Sequence, residues 1–420
     1  MMRIEIINTG SELMLGRVLN THQQWLCRQL ADRGYTVNRQ VAIDDSAPAI
    51  EGAVREALAR AELIVVTGGL GPTSDDRTRD LIAALLGRKL GEDPAVVAHI
   101  EGFFAARKRP MPASTRIQAM VPEGASVLMN AHGTAPGLVM EPAGGKNAAC
   151  RLLVMLPGPP RELRPMFTEQ VVPFLRDRFP LPAPFVCRTL KTTGMGESQV
   201  EEKIAGPLRA LTDAGMDLGY CARIGEVDVR FVTRGTDAQK NVAEAERIVR
   251  EILGPLVFAA DDEQLEETIV KLLTNRKQTI ALAESCTGGA IADRLTNVPG
   301  ASAVFLAGLV TYSNEAKQKF LGVRSETLAQ HGAVSEATVS EMAEGARDAT
   351  GADYAISVTG IAGPGGGTPE KPVGTVWIGV ASASGTIAQR RFNAFDRETF
   401  KNVTSQHALD MLRRQILGIS

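Results

Sequence analysis

The chain has 420 residues, of which 44% are hydrophobic and 22% charged, and its formal net charge is -2. This length predicts two or three domains, and the near-neutral charge argues against broad electrostatic capture of nucleic acid or of an anionic membrane. The five cysteines are dispersed and odd in number, and no apolar run approaches the roughly 20 residues that a membrane span needs. We therefore expect a cytoplasmic protein without a disulfide framework or a structural zinc site.

Short apolar runs alternate with amphipathic stretches over residues 1–172. A succession of strand and helix patterns of this kind predicts a parallel sheet covered by helices, and hence an α/β fold. The predicted strands are residues 4–8, 36–42, 63–67 and 152–156, and the predicted helices are residues 20–33, 47–60 and 79–86.

A glycine-rich loop, residues 67–78, follows the apolar strand pattern 63–67. Glycines let the backbone approach a phosphate at a helix N-terminus, and adjacent carboxylates supply hard oxygen ligands for a divalent ion that bridges phosphates. Acidic capping of the following helix explains the carboxylates about equally well. The candidate phosphate contacts are Gly69, Gly71, Thr73 and Ser74, and the candidate metal ligands are Asp76, Asp75 and Glu12.

These loops, together with residues 8–13, 16–21, 133–137 and 156–162, resemble the molybdopterin-binding domain of molybdenum-cofactor biosynthesis proteins. They are similar, in particular, to the N-terminal half of the CinA (competence/damage-inducible) proteins. The resemblance implies a three-layer α/β domain over residues 1–172. It also implies the activity of some CinA proteins, which cleave the pyrophosphate of ADP-ribose with a divalent metal, Mg²⁺ or Co²⁺, and with K⁺ as a candidate second cation.

Residues 180–256 have the pattern of a small α+β module, which suits the middle domain of the same family. A strand pattern at 188–193 and a helix pattern at 197–211 precede a hairpin centred on Gly225, and a second helix pattern covers 238–253. The acidic stretch 261–263 then indicates a linker to a third domain.

Residues 263–420 form a second α/β pattern. Four segments in it carry polar or glycine chemistry at predicted strand ends, where open α/β sheets bind ligands. They are the turn around Ser285, the segment around Ser302, the stretch from Tyr312 to Lys317, and the glycine loop 360–367. The predicted strands are residues 279–283, 304–312, 352–359 and 373–381, and the predicted helices are residues 264–275, 289–296, 335–350 and 398–417.

A serine hydroxyl needs a base before it attacks a carbonyl. No histidine occurs in the four segments, so Lys317, relayed through Tyr312, is the available base, and burial must then lower its pKa. Backbone N–H groups of the Ser285 turn or of the Gly363 loop are candidates to hold an oxyanion or a phosphate. The set predicts a serine–lysine amide hydrolase that acts on a phosphorylated small molecule.

Residues 283–289, 310–317, 331–335, 360–364 and 371–377 resemble the nicotinamide mononucleotide deamidase family. The resemblance implies hydrolysis of the carboxamide of nicotinamide mononucleotide to nicotinate mononucleotide and ammonia, without a cofactor. On that basis Ser302 is the preferred nucleophile, Lys317 its base and Tyr312 an assisting group, while Ser285 is the competing nucleophile. The implied substrate or oxyanion contacts are Thr287, Gly288, Thr359, Gly360, Gly363 and Arg397, the last as a phosphate ligand.

The leading hypothesis is a bifunctional hydrolase of pyridine-nucleotide recycling, with nicotinamide mononucleotide and ADP-ribose as its small-molecule partners. No nucleic acid or membrane partner is expected, and a symmetric homodimer is the expected assembly. A second hypothesis is a competence- or damage-related protein whose N-terminal domain binds a nucleotide or pterin without turnover. A third is a different amide or nucleotide hydrolase on the same scaffold.

Overall fold

The structure is a computed structural model that describes residues 2–142 and 149–419. The chain forms two compact units, Met1–Val186 and Cys187–Ser420. In the described residues, none of the helices combines the length and the apolar character that crossing a membrane requires.

The first unit contains a six-stranded sheet with the strand order β2-β1-β3-β8-β7-β6 and a separate pair, β4-β5. Its strands are β1 Ile4–Thr9, β2 Val37–Ile43, β3 Leu63–Thr67, β4 Leu90–Glu92, β5 Met120–Pro122, β6 Ser126–Leu128, β7 Gly137–Met140 and β8 Leu152–Leu156. Its helices are α1 Ser11–Met14, α2 Thr21–Ala31, α3 Ala47–Arg60, α4 Thr78–Leu85, α5 Pro94–Ala106, α6 Pro160–Met166 and α7 Val172–Arg178.

Both faces of this sheet are covered. Along β3, Leu63 and Val65 belong to one buried cluster, while Ile64 and Val66 belong to another on the opposite face. Side chains alternate between the two faces of a strand, so a run without polar residues fits a strand in the middle layer. The three-layer α/β prediction for this part of the chain is confirmed.

The sheet is mixed, whereas the sequence predicts a parallel one. β2, β1, β3 and β8 are parallel, but β7 pairs antiparallel with both β8 and β6. The connection from Leu128 to Gly137 is too short for the crossover that parallel neighbours need, which takes a dozen or more residues. The sequence prediction lacks β6 and β7, which are only three and four residues long.

The second unit contains a four-stranded sheet, β10-β11-β9-β12, and a five-stranded sheet, β14-β13-β15-β16-β17. Its strands are β9 Phe185–Thr193 (which begins in the first unit), β10 Asp217–Arg223, β11 Glu226–Arg234, β12 Val257–Ala260, β13 Ile280–Glu284, β14 Phe305–Val310, β15 Tyr354–Gly360, β16 Thr375–Ser382 and β17 Gly385–Phe392. Its helices are α8 Glu197–Asp213, α9 Ala238–Leu253, α10 Leu265–Arg276, α11 Ala290–Thr296, α12 Asn314–Leu321, α13 Ser325–His331, α14 Glu336–Thr350 and α15 Arg397–Leu417.

Within the five-stranded sheet, β13 lies between β14 and β15 and is parallel to both. β16 and β17 continue the sheet antiparallel. All five residues of β13 are buried, as its central place in a covered sheet requires. Because β13 and β14 run in the same direction, the turns that follow Glu284 and Val310 leave the sheet at the same edge.

Candidate functional site

Ser285 and Lys317 meet at the carboxyl edge of the five-stranded sheet. Ser285 follows β13, and Lys317 lies in α12, which begins soon after β14 and is capped by the Ser313 hydroxyl. The Lys317 Nζ atom is 3.1 Å from Ser285 Oγ. The parallel pairing of Glu284 with Val310 places the two following turns side by side, so sheet register brings residues 32 positions apart into contact.

The Lys317 side chain is only 1% exposed, and its surroundings suit a neutral amine. Its Nζ atom donates to the carbonyl oxygens of Thr311 and Tyr312, at 2.9 and 3.3 Å. Burial lowers the pKa of Lys317 because water no longer solvates the charged form. A neutral amine donates two N–H bonds, here to the two carbonyls, and has a lone pair left for the proton of Ser285. In this position, Lys317 can therefore act as a general base.

Ser302 does not share this contact, which corrects the expected Ser302–Lys317 pair. It lies in a short helical turn, Ala301–Ala303, before β14, and it is exposed. Lys317 follows β14, and the six residues of that strand span about 20 Å. Ser302 therefore enters β14 from the amino edge of the sheet, while Lys317 lies beyond its carboxyl edge. The expectation that Ser302 lies at a carboxyl edge overlooked that it precedes its strand.

Glu284 occupies most of the backbone donors that we expected an anion to use. Its buried carboxylate accepts hydrogen bonds from the N–H groups of Gly289, Ile291 and Ala292, at 3.0, 3.2 and 2.9 Å. The start of α11 is thus neutralised by the protein itself. In the described part of the chain, the N–H groups of Cys286 and Thr287 donate to no carbonyl or carboxylate oxygen. They are the donors of this turn that remain for an oxyanion.

Two other side chains of the turn are buried. Burial raises the pKa of the Cys286 thiol to about 12, so that this group is neutral and a poor nucleophile at physiological pH. The Thr287 hydroxyl is fully buried and has no hydrogen-bond partner among the described residues. Of the polar side chains in the turn, Ser285 is therefore the one with an adjacent base.

Arg397 connects two further predicted site residues. Its guanidinium donates to the Tyr312 hydroxyl at 2.6 Å and to the Gly363 carbonyl at 2.8 Å. The Tyr312 ring is 60% exposed, and its hydroxyl contacts Arg397, whereas its backbone carbonyl contacts Lys317. The expected relay from the serine to Lys317 through the phenol is thus absent, because Lys317 reaches Ser285 directly.

Two of the residues predicted as substrate contacts, Thr359 and Gly360, have roles in the packing of the sheet. The Thr359 hydroxyl donates to the Ala333 carbonyl at 2.8 Å, and Thr359 is 1% exposed. A Cβ on Gly360 would lie 2.9 Å from the Thr375 carbonyl oxygen and 2.9 Å from Val376 Cβ, so glycine is needed for the close approach of β15 to β16. Gly288, by contrast, is exposed and has a φ of 62°, which favours glycine.

The sequence analysis did not single out Lys401. A Cβ placed on Gly288 would lie 3.9 Å from Lys401 Nζ, so this ammonium lies over the Ser285 turn. The spacing of the two cations could have indicated this position. Lys401 is four residues after Arg397, and residues at this spacing lie on the same face of a helix.

A cavity of about 410 Å³ in the first unit contains most of the residues predicted for the N-terminal site. Glu12, Gly69, Gly71, Asp75 and Asp76 line it, and so do two carboxylates that the sequence analysis missed, Asp45 and Glu162. The sequence could have indicated Glu162, because this residue follows the proline-rich turn at the end of β8, and strand ends are where ligands bind in open α/β sheets.

The loop that carries Asp76 is tightly built. The Thr73 N–H donates to the Asp76 carboxylate at 3.0 Å, and the Thr73 hydroxyl donates to the same oxygen. A Cβ on Gly71 would lie 2.3 Å from that oxygen, which explains the glycine. Thr73 and Ser74 are exposed and are not among the residues that line the cavity.

The carboxylates of this cavity do not form a complete protein cage for a metal. Among residues 2–142 and 149–419, no group of three or more His, Cys, Asp or Glu side chains is arranged to hold an ion. Mg²⁺ commonly binds through one or two carboxylates, waters and substrate phosphates. The donor set therefore fits a divalent ion that arrives with a phosphorylated substrate.

A cavity of about 910 Å³ in the second unit lies apart from these residues. The loop between β9 and α8, the hairpin of β10 and β11, strand β17 and the last turns of α15 line it, and none of the predicted site residues does.

The fold and the site define a two-unit α/β protein with a serine–lysine pair in its second unit. Family models match three successive segments: "Probable molybdopterin binding domain" at residues 5–177, "Damage-inducible protein CinA KH domain" at 187–259 and "CinA C-terminal domain" at 262–416. The chain is 45% identical to a CinA-like protein of Akkermansia muciniphila, over 97% of this chain and 96% of the relative. It is 41% identical to a CinA-like protein of Kosmotoga olearia, over the full length of both.

The chain belongs to the CinA family, which confirms the resemblance found in the sequence. Among solved structures, the competence/damage inducible protein CihA of Agrobacterium tumefaciens is 44% identical, with a TM-score of 0.35, over 36% of this chain and 92% of that one.

Proposed function

We propose that the second unit hydrolyses the carboxamide of nicotinamide mononucleotide to nicotinate mononucleotide and ammonia. The observation that carries the proposal is the 3.1 Å contact between Ser285 Oγ and the buried Lys317 Nζ. The resemblance to the nicotinamide mononucleotide deamidases supports this substrate, and the contact supports Ser285 as the nucleophile and Lys317 as its base.

The reaction proceeds in two halves. Ser285 Oγ attacks the carboxamide carbon while its proton passes to Lys317 Nζ, and the tetrahedral adduct collapses when Lys317 returns that proton to the departing nitrogen as ammonia leaves. Water then attacks the ester carbon while one of its protons passes to Lys317 Nζ, and the carbon–Oγ bond breaks as Lys317 returns that proton to Ser285 Oγ. The products are the carboxylic acid and the free serine. The N–H groups of Cys286 and Thr287 are the candidates to hold the oxyanion.

Variants of the two serines and of the lysine test this proposal. We expect Ser285→Ala and Lys317→Met each to lower kcat/KM for nicotinamide mononucleotide by about 1,000-fold or more. The comparison is Ser302→Ala, which removes an exposed hydroxyl without a contact to Lys317 and should stay within about threefold of the wild type. Ammonia release and chromatography of the product measure the reaction. Full activity of Ser285→Ala together with loss in Ser302→Ala would refute the assignment.

We propose that the first unit binds ADP-ribose and hydrolyses its pyrophosphate. In support, the 410 Å³ cavity combines the glycine loop 68–71 with the carboxylates of Glu12, Asp75 and Asp76. Asp76 and Glu12 would hold Mg²⁺ or Co²⁺, and the ion, when bound, neutralises phosphate charge. Thr73 donates two hydrogen bonds to the Asp76 carboxylate, and Asp76 lines the cavity.

Product analysis after incubation with ADP-ribose and Mg²⁺ or Co²⁺ tests this second activity. We expect AMP and ribose 5-phosphate from the wild type and a loss of about 100-fold or more in Asp76→Asn. Tight binding of ADP-ribose by calorimetry without any product would instead identify a binding domain.

A further inference from the structure

The cavity of about 910 Å³ in the second unit has the size of a small-molecule site. Ligand pockets commonly enclose about 300–1,000 Å³ and have mostly apolar walls with a few polar groups. The walls of this cavity come from two parts of the unit, residues 193–256 and 387–419. Neither Ser285 nor Lys317 lines it, so a ligand bound here is distinct from the substrate of the proposed amide site.

Much of the wall is apolar. Side chains from the loop after β9, from β17 and from α15 contribute to it, among them Met195, Ile387 and Met411. Ile387 is 39% exposed, and removal of such surface from water favours binding. The flexible thioether side chains of methionine adapt to ligands of different shape. Burial, together with the charge of Arg391, lowers the pKa of His407, so its ring is neutral and adds flat surface to the wall.

Two arginines of the wall have hydrogen-bond donors to spare. Arg391 donates to Gln389 Oε1 at 2.9 Å and forms no ion pair with a carboxylate among the described residues. Arg414 donates through Nε to Asp410 at 2.7 Å. Its Nη2 atom would lie 3.5 Å from a Cβ placed on Gly194, and is thus close to the loop after β9. Since a guanidinium carries five N–H groups, both arginines can bind a further acceptor.

The carboxylates on the same side of the cavity are matched by cations. Asp410 accepts hydrogen bonds from Arg413 and Arg414, at 2.6 and 2.7 Å, so two guanidiniums share one carboxylate. Glu226 lies 3.8 Å from the Lys191 ammonium. The cluster around Asp410 therefore retains an excess of positive charge.

The other charged side chains of the wall are occupied within residues 193–256. Arg223 pairs with Asp228 at 2.7 Å, and the Glu197 carboxylate accepts the Ala222 N–H at 2.9 Å. The two arginines with spare donors belong instead to β17 and α15. The cavity thus combines an apolar wall with cationic donors on its β17 and α15 side.

We propose that this cavity binds an amphipathic carboxylate, with its apolar body against Met195, Ile387 and Met411 and its carboxylate on Arg391 and Arg414. A carboxylate matches the planar guanidinium and accepts two parallel, charge-assisted hydrogen bonds from it. The apolar body removes the exposed part of the wall from water. The site is separate from both proposed reactions and does not rest on either of them.

Calorimetry of the full-length protein with sodium octanoate tests the site, and octanamide is its uncharged counterpart of the same length. We expect octanoate to bind with a Kd below about 1 mM and octanamide to bind at least about tenfold more weakly. In Arg391→Met the Kd for octanoate should rise about 10- to 100-fold, through loss of a charge-assisted contact. Arg390→Met is the matched control, because Arg390 is the adjacent exposed residue of β17 and does not line the cavity. It should bind octanoate like the wild type.

A steric variant tests the position of the ligand. Ala222→Trp places an indole on an exposed alanine that lines the cavity, and Ala383→Trp does so on an exposed alanine that does not line it. Ala222→Trp should abolish octanoate binding while it unfolds in urea like the wild type, and Ala383→Trp should bind normally. No binding of octanoate by the wild type, equal affinities of Arg391→Met and Arg390→Met, or equal binding of octanoate and octanamide would overturn the proposal. So would unchanged binding in Ala222→Trp.

Discussion

Lys317 was a candidate base in the sequence analysis, and in the structure it is buried and contacts the Ser285 hydroxyl. Its side chain is 1% exposed, and within the described residues its Nζ atom forms hydrogen bonds with the Thr311 carbonyl, the Tyr312 carbonyl and the Ser285 hydroxyl. A lysine without a carboxylate partner in such a place pays for desolvation when it is charged. The neutral form removes that penalty and is also the form that accepts a proton.

The first prediction follows from this protonation. Because burial lowers the pKa of Lys317 below its ordinary value of 10.5, the base is active above that lowered pKa and inactive below it. We expect kcat/KM for nicotinamide mononucleotide to rise with pH through an inflection below 10.5 and then to level off. The inflection should be absent from the residual activity of Lys317→Met. If the inflection persists in Lys317→Met, it belongs to another titrating group.

At the scale of elements, the contact between α12 and α14 holds Lys317 in place. Gly345 in α14 touches the end of α12 so closely that a Cβ there would lie 1.8 Å from the Leu321 carbonyl oxygen. Lys317 is one turn before Leu321 in α12. The glycine thus allows the approach of the two helices, although glycine is ordinarily a poor residue for a helix interior.

The second prediction is that a glycine-to-alanine change at Gly345 lowers the free energy of unfolding, whereas such a change in a helix interior usually raises it. Gly345→Ala should lower the stability of the second unit by about 1–3 kcal/mol, through overpacking, and should lower amide hydrolysis because α12 must move. Gly102→Ala in α5, where a Cβ would meet nothing within 4 Å, should raise the stability of the first unit by about 0.5–1 kcal/mol.

The two tryptophans allow each unit to be followed separately by urea unfolding. Trp377 fluorescence in a Trp25→Phe background reports on the second unit, and Trp25 fluorescence in a Trp377→Phe background reports on the first. Stabilisation by Gly345→Ala would contradict the packing argument.

At the scale of the whole molecule, the residues of the two proposed sites belong to different units. Glu12, Asp75 and Asp76 lie within Met1–Val186, and Ser285 and Lys317 lie within Cys187–Ser420. Each set has its own sheet and its own hydrophobic core. We therefore expect the two proposed reactions to be independent of one another.

The third prediction is that single substitutions separate the activities. Asp76→Asn should abolish ADP-ribose hydrolysis and leave amide hydrolysis within about twofold, while Lys317→Met should do the opposite, because sites without shared partners behave independently. Parallel assays of both reactions on each full-length variant measure this. Loss of both activities from either substitution, in a protein that still unfolds like the wild type, would show that the sites are coupled.

The sequence predicted several long elements well but lacked α5, a helix of 13 residues. Helix α3 at 47–60, strand β3 at 63–67 and helix α9 at 238–253 have the predicted bounds, because each has a continuous pattern with a clear end. The sequence analysis missed strand β17. The second half of this strand is exposed and carries Arg390 and Arg391, and an edge strand needs no apolar face on its exposed part.

The amino-acid sequence by itself determined the α/β class, the family resemblance and most of the candidate site residues, because periodicity and local motifs are properties of neighbouring residues. Only the tertiary structure decided that Lys317 contacts Ser285, that the Glu284 carboxylate accepts hydrogen bonds at the start of α11, and that Lys401 lies over Gly288. Each of these contacts joins separate elements, or a strand to the helix beyond its turn. Sheet register and helix packing fix such contacts, and a linear pattern does not specify them.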